Sequence, residues 1–338
     1  IVGIGPAVAA DADPARSTRI SPVITLLLPL DSKDFSRAAE AFRQGFVAAH
    51  ALSVDRPLFE VVRTDDRPEK VIAEYKTAID RGVRVVVGPM TRDDVAAIVQ
   101  TPERVTVPTL ALNIPDNVTT LPRNLRIFSL ALEAEARQVA RTALAEGLSE
   151  ITVIHTQSPL SKRSRDAYVD AVLQGGGKIN EVLEIDAKAD QAALRASLQA
   201  IQAPGILLAA DPDEARLIRP MLPSRPRVFA TSQVHSPRLA AQSGATLEGI
   251  RFVDMPWFLT PQSPAVAPFR KSTGFSPELE RIYALGIDAF RIAAAMFEAN
   301  RLFTFNGVTG RIAMSGDAFV QRTPVAAEFR KNGAAAIE

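Results

Sequence analysis

Short apolar runs alternate with helical stripes through most of the chain. Val85-Val86-Val87 runs straight into Gly88-Pro89, and Thr109-Leu110-Ala111-Leu112 runs into Asn113. Runs this continuous suit parallel strands buried on both faces. Between them, Thr91 to Val99 predicts a helix, with Thr91 as N-cap and Asp93 and Asp94 in the first turn, where the helix dipole favours negative charge. Two strand ends and a helix N-terminus would then open on one crevice, the place where open α/β sheets hold ligands.

The same alternation extends both ways. Val23–Pro29 and Phe59–Val62 predict strands. Phe35–Ala51 predicts a helix whose apolar stripe holds Phe35, Ala38, Ala39, Phe42, Phe46 and Ala49, and Pro68–Arg81 a helix with proline well placed in its first turn. Leu125–Leu130 reads as extended, and Glu133–Glu146 as a helix stopped by Gly147. The series then restarts. Strands are expected at Ile151–His155, Ile179–Ile185, Ile206–Ala210, Val228–Thr231 and Ile250–Asp254. Helices are expected at Ser161–Gln174, Gln191–Ile201 and Asp213–Met221. Gly175-Gly176-Gly177 follows a helix and reads as its stop, not as a phosphate loop. Glu278–Asn300 predicts a long helix, and the weaker alternation from Gly310 onward predicts edge strands.

Two such series imply an α/β protein of two doubly wound parallel-sheet lobes with a cleft between them and three crossings. The breaks at Ile114–Leu125 and Met255–Pro277 divide the chain. Residues 22–116 and 255–305 are expected in the first lobe, and residues 117–254 and 306–338 in the second. Ile1–Ser21, with a small-residue run at Ala7-Val8-Ala9-Ala10, reads as a leader or disordered remnant, the alternative being a short strand-like segment docked on the body.

Composition narrows the function. A net charge of +1 over 338 residues argues against a large nucleic-acid footprint. With no cysteine, thiolate metal sites and Cys nucleophiles are out. No apolar run is long enough to span a bilayer. His50, His155 and His235 share no ligand spacing, and His155, at a strand end by the cleft, reads as a solvated loop histidine. The pairs Asp65-Asp66 and Asp93-Asp94 read as solvated caps, because adjacent helical residues do not face each other. No G-x-S-x-G elbow surrounds any serine. The expectation is a protein with no enzymatic activity, no cofactor and no metal.

Several phrases, taken in order, carry a resemblance: Ile24-Thr25-Leu26-Leu27-Leu28-Pro29-Leu30, Val86-Val87-Gly88-Pro89-Met90, Leu110-Ala111-Leu112-Asn113-Ile114-Pro115, Phe128-Ser129-Leu130 with Glu133-Ala134-Glu135-Ala136-Arg137, Ala230-Thr231-Ser232, Leu247-Glu248-Gly249-Ile250, Met255-Pro256, Arg281-Ile282-Tyr283-Ala284-Leu285-Gly286-Ile287-Asp288-Ala289-Phe290 and Asn306-Gly307-Val308-Thr309-Gly310. The chain resembles the C-terminal domain of the penicillin-binding-protein activator lipoproteins, within the type I periplasmic binding protein fold. The resemblance implies a periplasmic, non-catalytic partner of a class A penicillin-binding protein in peptidoglycan synthesis, associated in full-length relatives with the outer membrane. The family's helical-repeat N-terminal domain and lipid-anchored Cys have no counterpart in this sequence. The alternative is a receptor that closes on a small polar ligand, such as an amino acid, and serves a transporter.

Each reading has candidate residues. Thr91, Asn113, Ser129 and Ser232 fall at strand ends facing the cleft, where relatives in the wider fold hold a ligand carboxylate, although Arg92 at that rim would alter an amino-acid pocket. Lys162, Arg163 and Arg165 follow Ser161, read as an N-cap, so these cations crowd the positive end of a helix and are either simply solvated or meet an anion or acidic partner. Trp257, the single tryptophan, lies in the Pro-rich return segment and either anchors a partner or fills the hinge.

Overall fold

The computed structural model describes residues 23–116, 120–186, 190–239, 244–269, 273–298 and 302–337. The expected leader at 1–21 and part of the 114–125 break lie outside the described residues.

Five parallel strands form the first sheet: β1 (Ile24–Leu28), β2 (Phe59–Arg63), β3 (Val85–Val87), β4 (Thr109–Ala111) and β5 (Leu125–Ile127), in the spatial order β2-β1-β3-β4-β5. Helices α1 (Ser36–Leu52), α2 (Pro68–Asp80) and α3 (Arg92–Val99) connect them. Strands β1, β3 and β4 are buried throughout, as continuous apolar runs require of central parallel strands.

In the second sheet, β6 (Glu150–His155), β7 (Lys178–Glu184), β8 (Gly205–Ala209), β9 (Arg227–Ala230) and β10 (Ile250–Asp254) run parallel, and β14 (Val325–Arg330) and β15 (Gly333–Ala336) add an antiparallel edge. Its helices are α4 (Leu132–Ala145), α5 (Pro159–Gln174), α6 (Gln191–Gln199) and α7 (Pro212–Ile218). A short helix, α8 (Pro256–Leu259), and the long α9 (Pro277–Phe297) follow, and α9 joins the core of the first sheet.

Two boundaries depart from the sequence reading. Leu125, expected to open the second lobe, belongs to the first sheet as β5: Leu125 and Ile127 are buried in the core that holds Val95 and Ile98 of α3. The chain leaves that sheet only after Phe128. Residues from 306 onward, expected in the second lobe, divide between the two. Strands β11 (Leu302–Asn306), β12 (Arg311–Ser315) and β13 (Gln321–Thr323) form a small antiparallel sheet of their own. Ile312, Met314 and Val320 point into the first core, so only β14 and β15 reach the second sheet. The chain therefore passes between the lobes after Phe128, after Asp254 and at Pro324.

Two of the family-like phrases meet on α9. Its Gly286 lies against α1, where a Cβ would fall 2.1 Å from the Phe42 carbonyl oxygen, and Gly45 of α1 lies as close to Tyr283. The helices approach at backbone contact, which only glycine permits. Two residues on, Asp288 is fully buried and accepts hydrogen bonds from the Val308 N–H (3.1 Å), the Thr309 N–H (2.8 Å) and the Thr309 hydroxyl (2.6 Å). The Asn306–Gly310 turn is pinned to the long helix through this carboxylate, which satisfies the turn's buried donors.

Candidate functional site

The C-terminal ends of β3, β4 and β5, the N-termini of α4 and α5 and one face of α9 enclose a cavity of about 240 Å³ between the lobes. Its walls are largely apolar: Met90, Leu112, Leu130, Leu132, Leu160, Ile282 and Leu285. The polar lining is Arg92, Asn113, Ser129, Glu133 and Arg163.

These polar groups are engaged mostly with each other. Glu133, in the first turn of α4, lies 3.4 Å from Arg92 of the first lobe and 3.4 Å from Arg163 of the second. Arg92 also pairs with Asp116 at 2.7 Å. One carboxylate thus bridges two guanidinium groups across the cleft, and it sits where the dipole of α4 favours an anion. The Asn113 amide donates to the Met90 carbonyl (3.3 Å), and its side-chain oxygen accepts from the Ile114 N–H (3.0 Å).

Of the four cleft candidates, Asn113 and Ser129 line the cavity and the other two do not. Thr91 caps α3, with its hydroxyl accepting from the Asp94 N–H at 3.1 Å, so its acceptor role is spent on the helix end. Asp94 is itself buried, which pushes its carboxyl above the usual range, and is not the solvated cap expected. Ser232 is buried in a 3-10 turn after β9, where its N–H donates to Glu135 at 3.1 Å.

The cationic run also sits differently from its reading. The N-cap of α5 is Ser158, followed by Pro159, and Ser161 is buried with its hydroxyl bonded to Ser158 and Thr156. Lys162, Arg163 and Arg165 therefore lie further inside the helix, and each has an acid: Glu184 at 3.3 Å, Glu133 at 3.4 Å and Asp166 at 2.7 Å. Their charge is compensated within the chain, and no external anion is needed to explain them. His155, expected to be solvated, is buried with its Nδ1 2.9 Å from the Thr156 carbonyl. Trp257 is fully buried in the first core, beside Tyr283, with its indole N–H donating to Glu280 at 3.1 Å. It fills the base of the hinge and presents nothing to a partner.

Below the cavity, charges the sequence reading did not single out join the lobes. Asp254, the last residue of β10, is fully buried. It accepts from both terminal nitrogens of Arg281 on α9, one at 2.8 Å, lies 2.7 Å from His235 Nδ1, and accepts from the Met255 N–H at 2.7 Å. Burial opposes its charge, but Arg281 and the hydrogen bond from His235 outweigh that and hold the carboxyl below the usual range. A second buried pair, Glu135 of α4 with Arg322 of β13 at 2.7 Å, also spans the lobes. Glu133 and Glu135 are two apart on α4, so one turns to the cleft and the other to the hinge. The available signal was an acid within an apolar stretch, as in Phe252-Val253-Asp254, which is costly unless paired.

The comparisons agree with this architecture. The sequence profile of the family described as "LppC putative lipoprotein" matches residues 16–332. The penicillin-binding protein activator LpoA of Glaesserella parasuis serovar 5 is 23% identical over 306 residues, covering 88% of this chain and 52% of that protein. The chain spans about half the length of the curated relatives it matches. Among solved structures, the LpoA C-domain from Haemophilus influenzae, described as a regulator of PBP1A, superposes with a TM-score of 0.78 at 23% identity, covering 93% of this chain and 99% of that one. A protein from Chromobacterium violaceum described as "a putative branched-chain amino acid ABC transporter" gives 0.76 at 32% identity, covering 90% and 99%. The fold is that of the type I periplasmic binding proteins, and with a profile match over nearly its whole length the chain belongs to the LppC lipoprotein family.

Proposed function

We propose that this chain is a non-catalytic module of the cell envelope that regulates peptidoglycan synthesis by binding a class A penicillin-binding protein. The observation that carries this reading is the Arg92–Glu133–Arg163 bridge. A solute receptor keeps its cleft charges available for the ligand, whereas here the three charged groups pair with one another, Glu133 with Arg92 across the cleft and with Arg163 on its own side. Relatives that cover most of this chain are penicillin-binding protein activators, which supports the same partner class. Among the described residues no group of three or more His, Asp or Glu side chains is placed to hold a metal, and no helix is long and apolar enough to cross a membrane. In this reading the module works in the periplasm by surface contact, and the cleft is a structural joint.

The second reading, a receptor for a small polar ligand, draws on the Chromobacterium violaceum likeness. Reconstitution separates the two. Purified chain added to a class A synthase polymerising lipid-linked precursor is expected to raise the rate in a saturable way. An unchanged rate at every concentration would overturn the proposal.

A further inference from the structure

A second cavity, of about 700 Å³, shares no residue with the cleft. It lies between α8 with the loop that follows it, the β11–β12 turn, and the crossing Thr323–Pro324–Val325. Its volume falls in the range of small-molecule sites. Among the described residues, its charged lining is two arginines, Arg291 and Arg311, and no carboxylate.

Both arginines adjoin Asn306, Arg311 through the backbone ladder and Arg291 through its side chain. Asn306 pairs with Arg311 across the β11–β12 ladder, and its carbonyl accepts from Arg291 at 3.0 Å. Arg291 is fixed in place: its guanidinium stacks on the Phe305 ring at 4.0 Å and lies 3.6 Å from Asp288, whose own oxygens are shared with the turn. Burial pulls it below its usual range, with Asp288 opposing, so an added anion would relieve a desolvated cation. Asp288 spends its acceptors on Val308 and Thr309. Arg311 has no ion-pair partner among the described residues. In the facing wall the Ser263 hydroxyl is buried without a hydrogen-bond partner.

We infer that this groove binds a small carboxylate-bearing ligand, with Arg291 and Arg311 meeting the carboxylate. Two guanidinium forks supply donors only, and the Ser263 hydroxyl can add another, which suits an acceptor-only carboxylate. The ligand would rest against Thr323–Val325, one of the passages between the lobes. The inference stands apart from the regulatory reading, since it requires no protein partner.

The test is an amide chemical-shift titration of the full chain with three probes: citrate, the end-blocked dipeptide acetyl-Glu-Glu-amide (Glu-Glu) and its counterpart acetyl-Gln-Gln-amide (Gln-Gln), which carries no carboxylate. Saturable shifts at residues 306–311 and 323–325 are expected with citrate, Glu-Glu or both. The two arms distinguish a free polycarboxylate from an acidic peptide. Gln-Gln should bind at least about tenfold more weakly, and Arg311→Ala should weaken the anionic probes by about tenfold. Arg163→Ala, in the cleft, should leave them unchanged. No saturable shift with either anion, equal binding of Gln-Gln, or shifts centred on Asn113 and Ser129 would each overturn the inference.

Discussion

Asp254 and Arg281 form a buried ion pair that ties the end of β10 in the second lobe to α9 in the first. Removing the carboxylate leaves the largely buried Arg281 without its partner. Asp254→Ala is expected to cost about 3–5 kcal/mol, measured by denaturant unfolding. Because the folded-state carboxyl is held below its unfolded value, its contribution is present above roughly pH 4 and is lost as pH falls through the folded value. The wild type should therefore lose stability on acidification below that point more steeply than Asp254→Asn.

Gly286→Ala tests the contact between α1 and α9. The added Cβ meets backbone atoms of Phe42 and Phe46, which cannot swing aside, so a loss of about 1–3 kcal/mol or more is expected. Gly147→Ala is the comparison. It has φ +85° and nothing within 4 Å, so its cost should be limited to about 1–2 kcal/mol of backbone strain. Equal losses would mean that the close helix approach is not what Gly286 serves.

Trp257→Ala is expected to act through the core. Truncating a fully buried indole should cost about 3–5 kcal/mol by calorimetric or chemical unfolding. Trp257→Phe should cost less, keeping most of the packing against Tyr283 while losing the bond to Glu280. If Trp257→Ala left stability intact but abolished partner binding, the residue would be a contact after all.

The Glu133 bridge should govern cleft width more than stability. Arg163 is 41% exposed, so loss of the bridge is worth about 1 kcal/mol or less. The chain has no cysteine, so Gln44→Cys and Ala193→Cys give unique spin-label sites, one on each lobe. In that background Glu133→Ala should lengthen or broaden the interlobe distance distribution. An unchanged distribution would show that the bridge does not brace the cleft.

How much of this could be read from the chain depends on the range of the interactions. Helix ends at Pro68, Gly147 and Gly175 were legible because capping is local. The start of α5 was misread by three residues, although Ser158-Pro159 is itself a local signal: a good N-cap followed by proline in the first turn. Membership of β5 in the first sheet was not legible, since pairing of Leu110 with Arg126 is tertiary and an isolated three-residue strand carries little pattern. The strand ends point to the cleft, and Asn113 and Ser129 line the cavity there. The charges that join the lobes were hidden by distance along the chain: Glu135 and Arg322 are 187 residues apart. A lone acid in a helix stripe does not announce a partner that remote.

The most direct test of the central claim is a pair of calorimetric titrations on one preparation. The periplasmic part of a class A penicillin-binding protein goes into one cell and a panel of amino acids into the other. The account predicts saturable binding to the synthase that survives Asn113→Ala within about tenfold, or about 1.4 kcal/mol, and no amino-acid binding that depends on Asn113. Tight binding of a single amino acid, abolished by Asn113→Ala, together with no heat from the synthase, would contradict it.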